Sequence, residues 1–409
     1  MNRRKLFLFT NKFPYDKDEE FLETEIPILA NYFDIIIVPR YPLGNIRPIP
    51  ENVEIDNFFI DYLSNRKISI LGLTRFHKFI KEFINSKKII SYKSLEYFGM
   101  EFLLKKWYKK YSIDSTVIFY SYWLASQAYG LTQLNKNSNY KHIVISRTHR
   151  WDLYEDANIY HYLPLRKEIL KDIDKVFCIS DDGKNYLTKK YPEYSDKFEV
   201  SRLGVLPQTN LNKGSKDDMF RIVTCSDLVP FKRVHLVVEA LSILGKKVNK
   251  RILWSHIGKG PLKEEIEELA NKLLSKTNIE YKFLGYLKNK DVLNFYANNP
   301  IDLFINVSES EGLPVSIMEA LSFGIPVMAT NVGGTRELVD ENIGKLLPSD
   351  LTANILADHI EQFINLSEKD KLFKRKNALK RWNEKVNALK NYEDFSKRIL
   401  KLLNNKKYH

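Results

Sequence analysis

Residues 304–334, FINVSESEGLPVSIMEALSFGIPVMATNVGG, constrain the fold of this chain more than any other stretch. Residues 303–307 are apolar and strand-like, and the chain then turns polar over residues 308–312. Pro314 suits a helix start, because its missing N–H falls where no intrahelical bond is made. Val315, Ile317, Met318 and Leu321 then predict an apolar helical face, with Ser316 and Glu319 on the other side. Gly324 is a natural C′ residue and Pro326 a stop, so residues 327–330 read as the next buried strand. A strand–loop–helix–strand unit results, with the helix N-terminus opening onto the loop. Free N–H groups and the positive dipole end suit an anion such as a diphosphate. Two carboxylates punctuate the unit: Glu311 before the helix, and Glu319 inside it.

The same rhythm runs through the rest of the chain. Apolar runs at 5–10, 34–39, 116–120, 142–146, 175–180, 220–225, 253–257 and 279–283 alternate with helical stretches. That pattern predicts an α/β chain with parallel sheets. The polar stretch 208–218, QTNLNKGSKDD, interrupts it and marks a boundary between domains at 1–207 and 208–389. A length of 409 residues suits two or three domains, and 44% hydrophobic content supports sizeable cores. Cys178 and Cys225 lie in apolar strand-like contexts, which suggests a reducing compartment and no disulfide or metal framework. No secretory leader pattern precedes the first apolar run, and no run nears the roughly 20 residues of a spanning helix. The expectation is a cytoplasmic protein, soluble or peripheral on the inner face of the plasma membrane.

A net charge of +13 favours a negatively charged partner: nucleic acid, an anionic membrane surface or a phosphorylated substrate. Nucleic acid is disfavoured, since no recognised module is present and the basic residues are dispersed. Between residues 75 and 110 there are ten basic and three acidic residues. Phe76, Phe79, Ile80 and Phe83 share one helical face, with Lys78, Lys81 and Glu82 away from it. A membrane-facing amphipathic helix fits this segment, and so does a helix packed on its own sheet with lysines in solvent.

Several loops after strands carry chemistry. His149 and Asp152 follow the run at 142–146, where parallel sheets expose ligand-binding loops, and Arg147 precedes them. Lys232 and Arg233 form a cationic pair suited to a diphosphate, one a point charge and the other a planar fork. Gly258-Lys259-Gly260 is too short a match to argue for a dinucleotide cofactor. The strand at 279–283 runs into Gly285-Tyr286-Leu287.

Glu311-Gly312-Leu313-Pro314, Glu319-Ala320, Gly324-Ile325-Pro326-Val327 and Gly333-Gly334 together resemble the E-x7-E signature of glycosyltransferase family 4. The likeness covers nearly the whole chain and is strongest at 304–344, then at 146–204. It implies a retaining, metal-independent glycosyltransferase in the synthesis of a bacterial capsule, O-antigen or lipopolysaccharide. The implied fold is GT-B: two Rossmann-like domains facing across a cleft, with the C-terminal helix, about 390–409, crossing back to the first. The implied co-substrate is a nucleotide-diphosphate sugar, UDP or GDP not being distinguished, and no cofactor is expected. The implied partner is a saccharide acceptor, lipid-linked in this setting.

The likeness also assigns residues. His149 would lie near the donor sugar and the attacking hydroxyl, with Asp152 and Arg147 on the acceptor side. Lys232 matches the family's phosphate-binding lysine. Asp227 stands where many members have arginine, which leaves Arg233 or Arg202 as the second cation. Glu311 and the backbone of Gly312 and Leu313, in the loop closed by Pro314, would bind the transferred sugar. Glu319 would accept hydrogen bonds from ribose hydroxyls, and Tyr286 would lie beside the base. The first loop, residues 16–20, has acidic residues where members often have glycines, and is expected to face the acceptor. A nucleotide-sugar epimerase of the same fold and a non-catalytic sugar-nucleotide-binding relative are the alternatives.

Overall fold

The computed structural model describes residues 3–16, 19–86, 92–111, 113, 115–158 and 161–406. Lys17 and Asp18 of the first loop, and Lys87 and Lys88 of the basic segment, lie outside the described residues. The chain divides into two compact units, Met1–Leu203 with Ala388–His409, and Gly204–Asn387.

The first unit runs β1 (Arg4–Thr10), α1 (Leu22–Leu29), β2 (Phe33–Pro39), β3 (Val53–Ile55), α2 (Asn65–Gly72), α3 (Phe76–Ser86) and α4 (Ser94–Lys110). It continues with β4 (Ile118–Ser121), α5 (Ser126–Lys136), β5 (Ile143–Thr148), α6 (Arg166–Asp172), β6 (Lys175–Cys178), α7 (Asp181–Lys190) and β7 (Phe198–Val200). Its seven strands are parallel, in the order β3-β2-β1-β4-β5-β6-β7. Both faces are covered, as near-continuous apolar strands require. Phe7 and Phe9 of β1 pack on one side with Leu103, Leu104 and Trp107 of α4. Leu6 and Leu8 pack on the other with Leu22 and Ile26 of α1. A Cβ on Gly99 would sit 1.9 Å from the Ile68 carbonyl oxygen, so α2 and α4 pack backbone to backbone. The helix α3 departs from the lysine-out reading: Glu82 is buried and Phe76, Ile80 and Phe83 are exposed, although Phe79 packs on the core and Lys81 is exposed.

The second unit runs β8 (Met219–Cys225), α8 (Val234–Lys247), β9 (Arg251–Ile257), α9 (Lys263–Leu274), β10 (Ile279–Phe283), α10 (Asn289–Asn298) and β11 (Leu303–Asn306). Then come α11 (Val315–Ser322), β12 (Val327–Thr330), β13 (Lys345–Leu347), α12 (Ala353–Ile364) and α13 (Glu368–Lys385). Its six strands are again parallel, in the order β10-β9-β8-β11-β12-β13. Ile222 and Trp254 from the sheet share a core with Val238 and Leu241 of α8, Ile266 of α9 and Leu356 of α12. The final helix, α14 (Ala388–Lys406), belongs to the first unit, where Tyr392, Phe395, Ile399 and Leu403 join the α1 side of the core.

The helix α11 corrects one reading and keeps another. Pro314 is its N-cap, with ψ at 115°, and not its first helical residue. Glu319 is 5% exposed, so the side opposite the apolar stripe is buried too. Gly324 does stand at C′ with φ +69°. Its N–H donates to the Leu321 carbonyl at 2.9 Å, and the Ile325 N–H to Ala320 at 3.0 Å, which is a Schellman closure. Among the described residues, no helix is long and apolar enough to cross a membrane.

Candidate functional site

In each unit the strand order reverses beside the first strand, between β1 and β4 and between β8 and β11. The loops leaving the C-terminal ends of such strands diverge and open a crevice that side chains can line. Lys232, Arg233 and Glu311 stand on the loops after β8 and β11, whereas Tyr286 follows β10, His149 and Asp152 follow β5, and Glu319 lies within α11.

In the second unit, residues 226–233 leave β8 through a short turn at Pro230–Lys232 that ends at Arg233, φ +49°. Lys232 Nζ lies 2.6 Å from Glu311 Oε1, on the loop after β11, and Asn306 Nδ2 donates to the same oxygen at 3.3 Å. The side chains of this pair are 19% and 9% exposed, so the contact is only weakly screened by solvent. Arg233 does different work. Its Nε donates to the Val307 carbonyl at 2.7 Å, and its two terminal nitrogens approach the carbonyls of Ser349 and Ser308. It braces the loop that carries Glu311. Arg202, the other cation considered, ion-pairs with Asp181.

Gly312, Leu313 and Pro314 carry the chain, buried, from Glu311 to the start of α11. No side chain caps that helix, so its first N–H groups are not claimed by a capping oxygen. Gly333, φ +50°, allows the next loop to press on this segment, since a Cβ there would lie 1.9 Å from the Glu311 carbonyl oxygen. The Gly334 N–H then donates to the Gly312 carbonyl at 2.9 Å. One turn into the helix, Glu319 accepts from Asn289 Nδ2 at 2.5 Å. Burial, then the nearby Glu319 charge, push the Cys225 thiol up to about 12, which leaves it an inert neighbour. Tyr286 is 37% exposed, with Lys259 Nζ 5.3 Å from its ring centre. A Cβ on Gly258 would lie 1.8 Å from the Ser226 carbonyl oxygen, and the Gly258 N–H donates to Gly285, so these loops converge through glycines.

In the first unit, His149 is 6% exposed and enclosed by aromatic rings: Trp123 at 4.4 Å, Tyr122 at 4.8 Å and Phe21 at 6.3 Å between centroids. Neither ring nitrogen has a hydrogen-bond partner in the protein. Burial, then the Arg147 charge, hold its pKa well below 6.5, so the imidazole is neutral near pH 7. Trp151, 38% exposed, lies 5.1 Å from Trp123 and extends the aromatic surface outward.

Two residues assigned to the acceptor side do not reach a surface. Asp152 is fully buried; its carboxylate accepts from the His149 N–H and the Leu124 N–H, both at 2.8 Å. It ties the loop after β5 to the loop after β4, and burial pushes its pKa up to about 6. Arg147 is fully buried as well, donating to Tyr120 Oη, the Ser201 carbonyl and Glu25 Oε1. The reason is register. The strand β5 continues to Thr148, so Arg147 falls on the face of Ile143 and Ile145, beneath α14.

Reading the sequence missed Glu19, Asn289, Trp123 and Trp151. Glu19, φ +58°, folds its carboxylate back on the first loop, accepting from the N–H groups of Asn11, Lys12 and Phe13 at 2.8 Å each. Trp123 Nε1 adds a fourth bond at 2.5 Å. A row of backbone donors of this kind suits an anion, and here the chain's own carboxylate occupies it. The acidic composition of residues 16–20 was the available signal, but it does not identify which carboxylate turns inward.

Residues 209–381 match the family model described as "Glycosyl transferases group 1". Among curated proteins, the chain is 29% identical over 247 residues to protein CapJ of Staphylococcus aureus, 59% of this chain and 58% of that one. It is 26% identical over 262 residues to the putative colanic acid biosynthesis glycosyltransferase WcaL of Escherichia coli (strain K12), covering 62% of each. The chain thus spans about three fifths of the length of these relatives. Two solved structures share its fold over nearly their whole length. One is a lipopolysaccharide outer core galactosyltransferase, WaaB, in its apo form: TM-score 0.70, 14% identity, 97% of this chain and 99% of that one. The other is HepE of Anabaena in complex with UDP and glucose: TM-score 0.65, 15% identity, 98% of this chain and 100% of that one.

Proposed function

We propose, from the match of residues 209–381 to the family model of glycosyl transferases group 1, that this protein is a retaining glycosyltransferase. It moves a sugar from a nucleotide-diphosphate sugar to a saccharide acceptor, lipid-linked, in the synthesis of a cell-surface polysaccharide. The observation that carries the proposal is the Lys232–Glu311 contact of 2.6 Å beside the uncapped start of α11, with Glu319 one turn behind. Colanic acid synthesis in the name of one relative supports the polysaccharide setting. HepE, which shares the fold, is complexed with UDP and glucose, and this supports the donor class.

On this proposal the donor's diphosphate binds at the α11 N-terminus and draws Lys232 from Glu311. The freed carboxylate accepts hydrogen bonds from hydroxyls of the transferred sugar, and Glu319 accepts from the ribose. As the bond from the sugar's anomeric carbon to the diphosphate breaks, negative charge grows on the leaving phosphate. Lys232 and the helix N-terminus stabilise it, without a metal in the proposed step. The acceptor hydroxyl attacks the same carbon from the same face, and its proton passes to a leaving phosphate oxygen, so no protein nucleophile is needed. In the first unit, the neutral His149 offers a hydrogen bond to an acceptor hydroxyl, and Trp123 and Trp151 offer the acceptor aromatic faces.

Thermal unfolding against a panel of UDP- and GDP-sugars tests the donor half, because a bound donor raises the melting temperature. One member is expected to stabilise the wild type, and Glu319→Ala is expected to lose that response. Removing hydrogen bonds to a charged group costs about 1.5–3 kcal/mol, or about 10–100-fold in donor affinity. Undiminished binding and turnover by Glu319→Ala would sink the assignment. Sugar isomerisation in a donor-only reaction would favour an epimerase.

A further inference from the structure

We propose that the outward face of α2 and α3 is a docking surface for an anionic lipid bilayer. The inference rests on the first unit alone and stands apart from the donor reading. A helix packed on a soluble protein turns its apolar stripe inward, and α3 does the opposite. Phe76, Ile80, Phe83 and Ile84 are 53%, 43%, 45% and 64% exposed, and Leu73 and Ile70, just before α3, are 48% and 57% exposed. Scattered exposed apolar residues are ordinary, but a stripe at helical spacing that large is not.

The inward face of α3 carries Phe79, packed on the core, beside polar groups that are firmly held. Lys78 Nζ lies 3.0 Å from Glu101, a buried carboxylate of α4 that also pairs with Arg75 and Lys105. Glu82 accepts from the Tyr162 hydroxyl and from the Leu165 N–H. These bonds fix the rotation of α3 and hold Phe76, Ile80 and Phe83 outward, while Phe79 packs against the core. The exposure follows from the packing.

Charge selects the occupant. Residues 63–86 carry five basic side chains and one acidic side chain, and the acidic one, Glu82, faces inward. Arg66, Lys67 and Lys81 are exposed around the apolar stripe. Beside α3 a cavity of about 370 Å³ is lined by five lysines, Lys81 and Lys167 among them, and by three carboxylates, Glu82, Glu168 and Asp172. Apolar knobs bordered by lysines on long stems match the boundary between acyl chains and phosphate headgroups. The exposed rings enter the bilayer surface while the lysines contact lipid phosphates.

Cosedimentation of the full chain with vesicles tests this, using phosphatidylglycerol mixed with phosphatidylethanolamine in one arm and phosphatidylcholine alone in the other. The wild type is expected to bind the anionic vesicles, about tenfold more weakly in about 0.5 M salt, and to leave the neutral ones in solution. The variant Phe76→Ser/Ile80→Ser/Phe83→Ser is expected to lose about tenfold or more in vesicle affinity while keeping the wild-type melting temperature, since its changes lie on the surface. Lys81→Glu/Lys167→Glu is expected to weaken binding to the anionic vesicles. Absence of vesicle binding by the wild type, or undiminished binding by the triple serine variant, overturns the proposal. A wild-type dimer in analytical ultracentrifugation that the triple variant dissociates, with no vesicle binding, assigns the face to a second copy of the chain instead.

Discussion

His149 and Asp152 are three residues apart and buried together, yet they shift stability with pH in opposite directions. The folded chain keeps His149 neutral, whereas an unfolded chain protonates it as pH falls below 6.5. The unfolded state then binds the extra proton, so stability is lost toward acid, by about 1.4 kcal/mol per pH unit. Asp152, pushed up from 3.8 to about 6, keeps its proton in the folded state after the unfolded chain has released it. Stability is therefore lost as pH rises from about 4 to about 6, with a similar slope. Denaturant titrations between pH 4 and 7 are expected to separate the two. Relative to wild type, His149→Phe loses less stability on acidification below 6.5, and Asp152→Asn loses less on moving from pH 4 to 6. Parallel curves for all three proteins would refute both assignments. At this scale the sequence singled out His149 and Lys232 as candidates by type and by position after a strand. It could not identify Glu19 or the buried direction of Arg147. The first depends on a backbone turn with positive φ, and the second on two further residues of strand in β5.

At the scale of elements, the loops around α11 are held by close backbone approach. Gly333 is the contact that the chain tolerates least. An alanine there would require a left-handed backbone, and would push its Cβ into the Glu311 carbonyl oxygen, now 1.9 Å from the ideal Cβ position. Gly333→Ala is expected to destabilise the protein by about 1–3 kcal/mol and to weaken donor binding, measured as a smaller thermal shift by nucleotide sugar. A wild-type shift at wild-type stability would contradict this packing. Element types were legible because glycines and prolines punctuate the runs, as at Gly324 and Pro326. The short strands β3 and β13, three residues each, were not legible. So short a run has no usable periodicity, and each exists by pairing with a longer neighbour, β2 or β12.

At the scale of the whole molecule, the last helix completes the core of the first unit. Phe395 is fully buried, 4.9 Å from Phe177, 5.5 Å from Tyr120 and 4.4 Å from the Arg147 guanidinium. Phe395→Ala is expected to cost about 3–5 kcal/mol of stability in denaturant unfolding, although it lies some 200 residues from the rest of that unit in sequence. A cost below about 1 kcal/mol would mean that α14 only rests on the surface. What the sequence determined by itself was the alternation of strands and helices, the parallel α/β class and the loops that carry the candidate residues. Those depend on periodicity, punctuation and residue type, all local properties. Tertiary structure alone decided which charges are used inward. It buried Arg147 and Asp152, committed Arg233 to carbonyls, folded Glu19 onto its own loop and turned Phe76 and Phe83 of α3 outward. Each outcome depends on which distant group satisfies a buried charge, and sequence spacing does not carry that information.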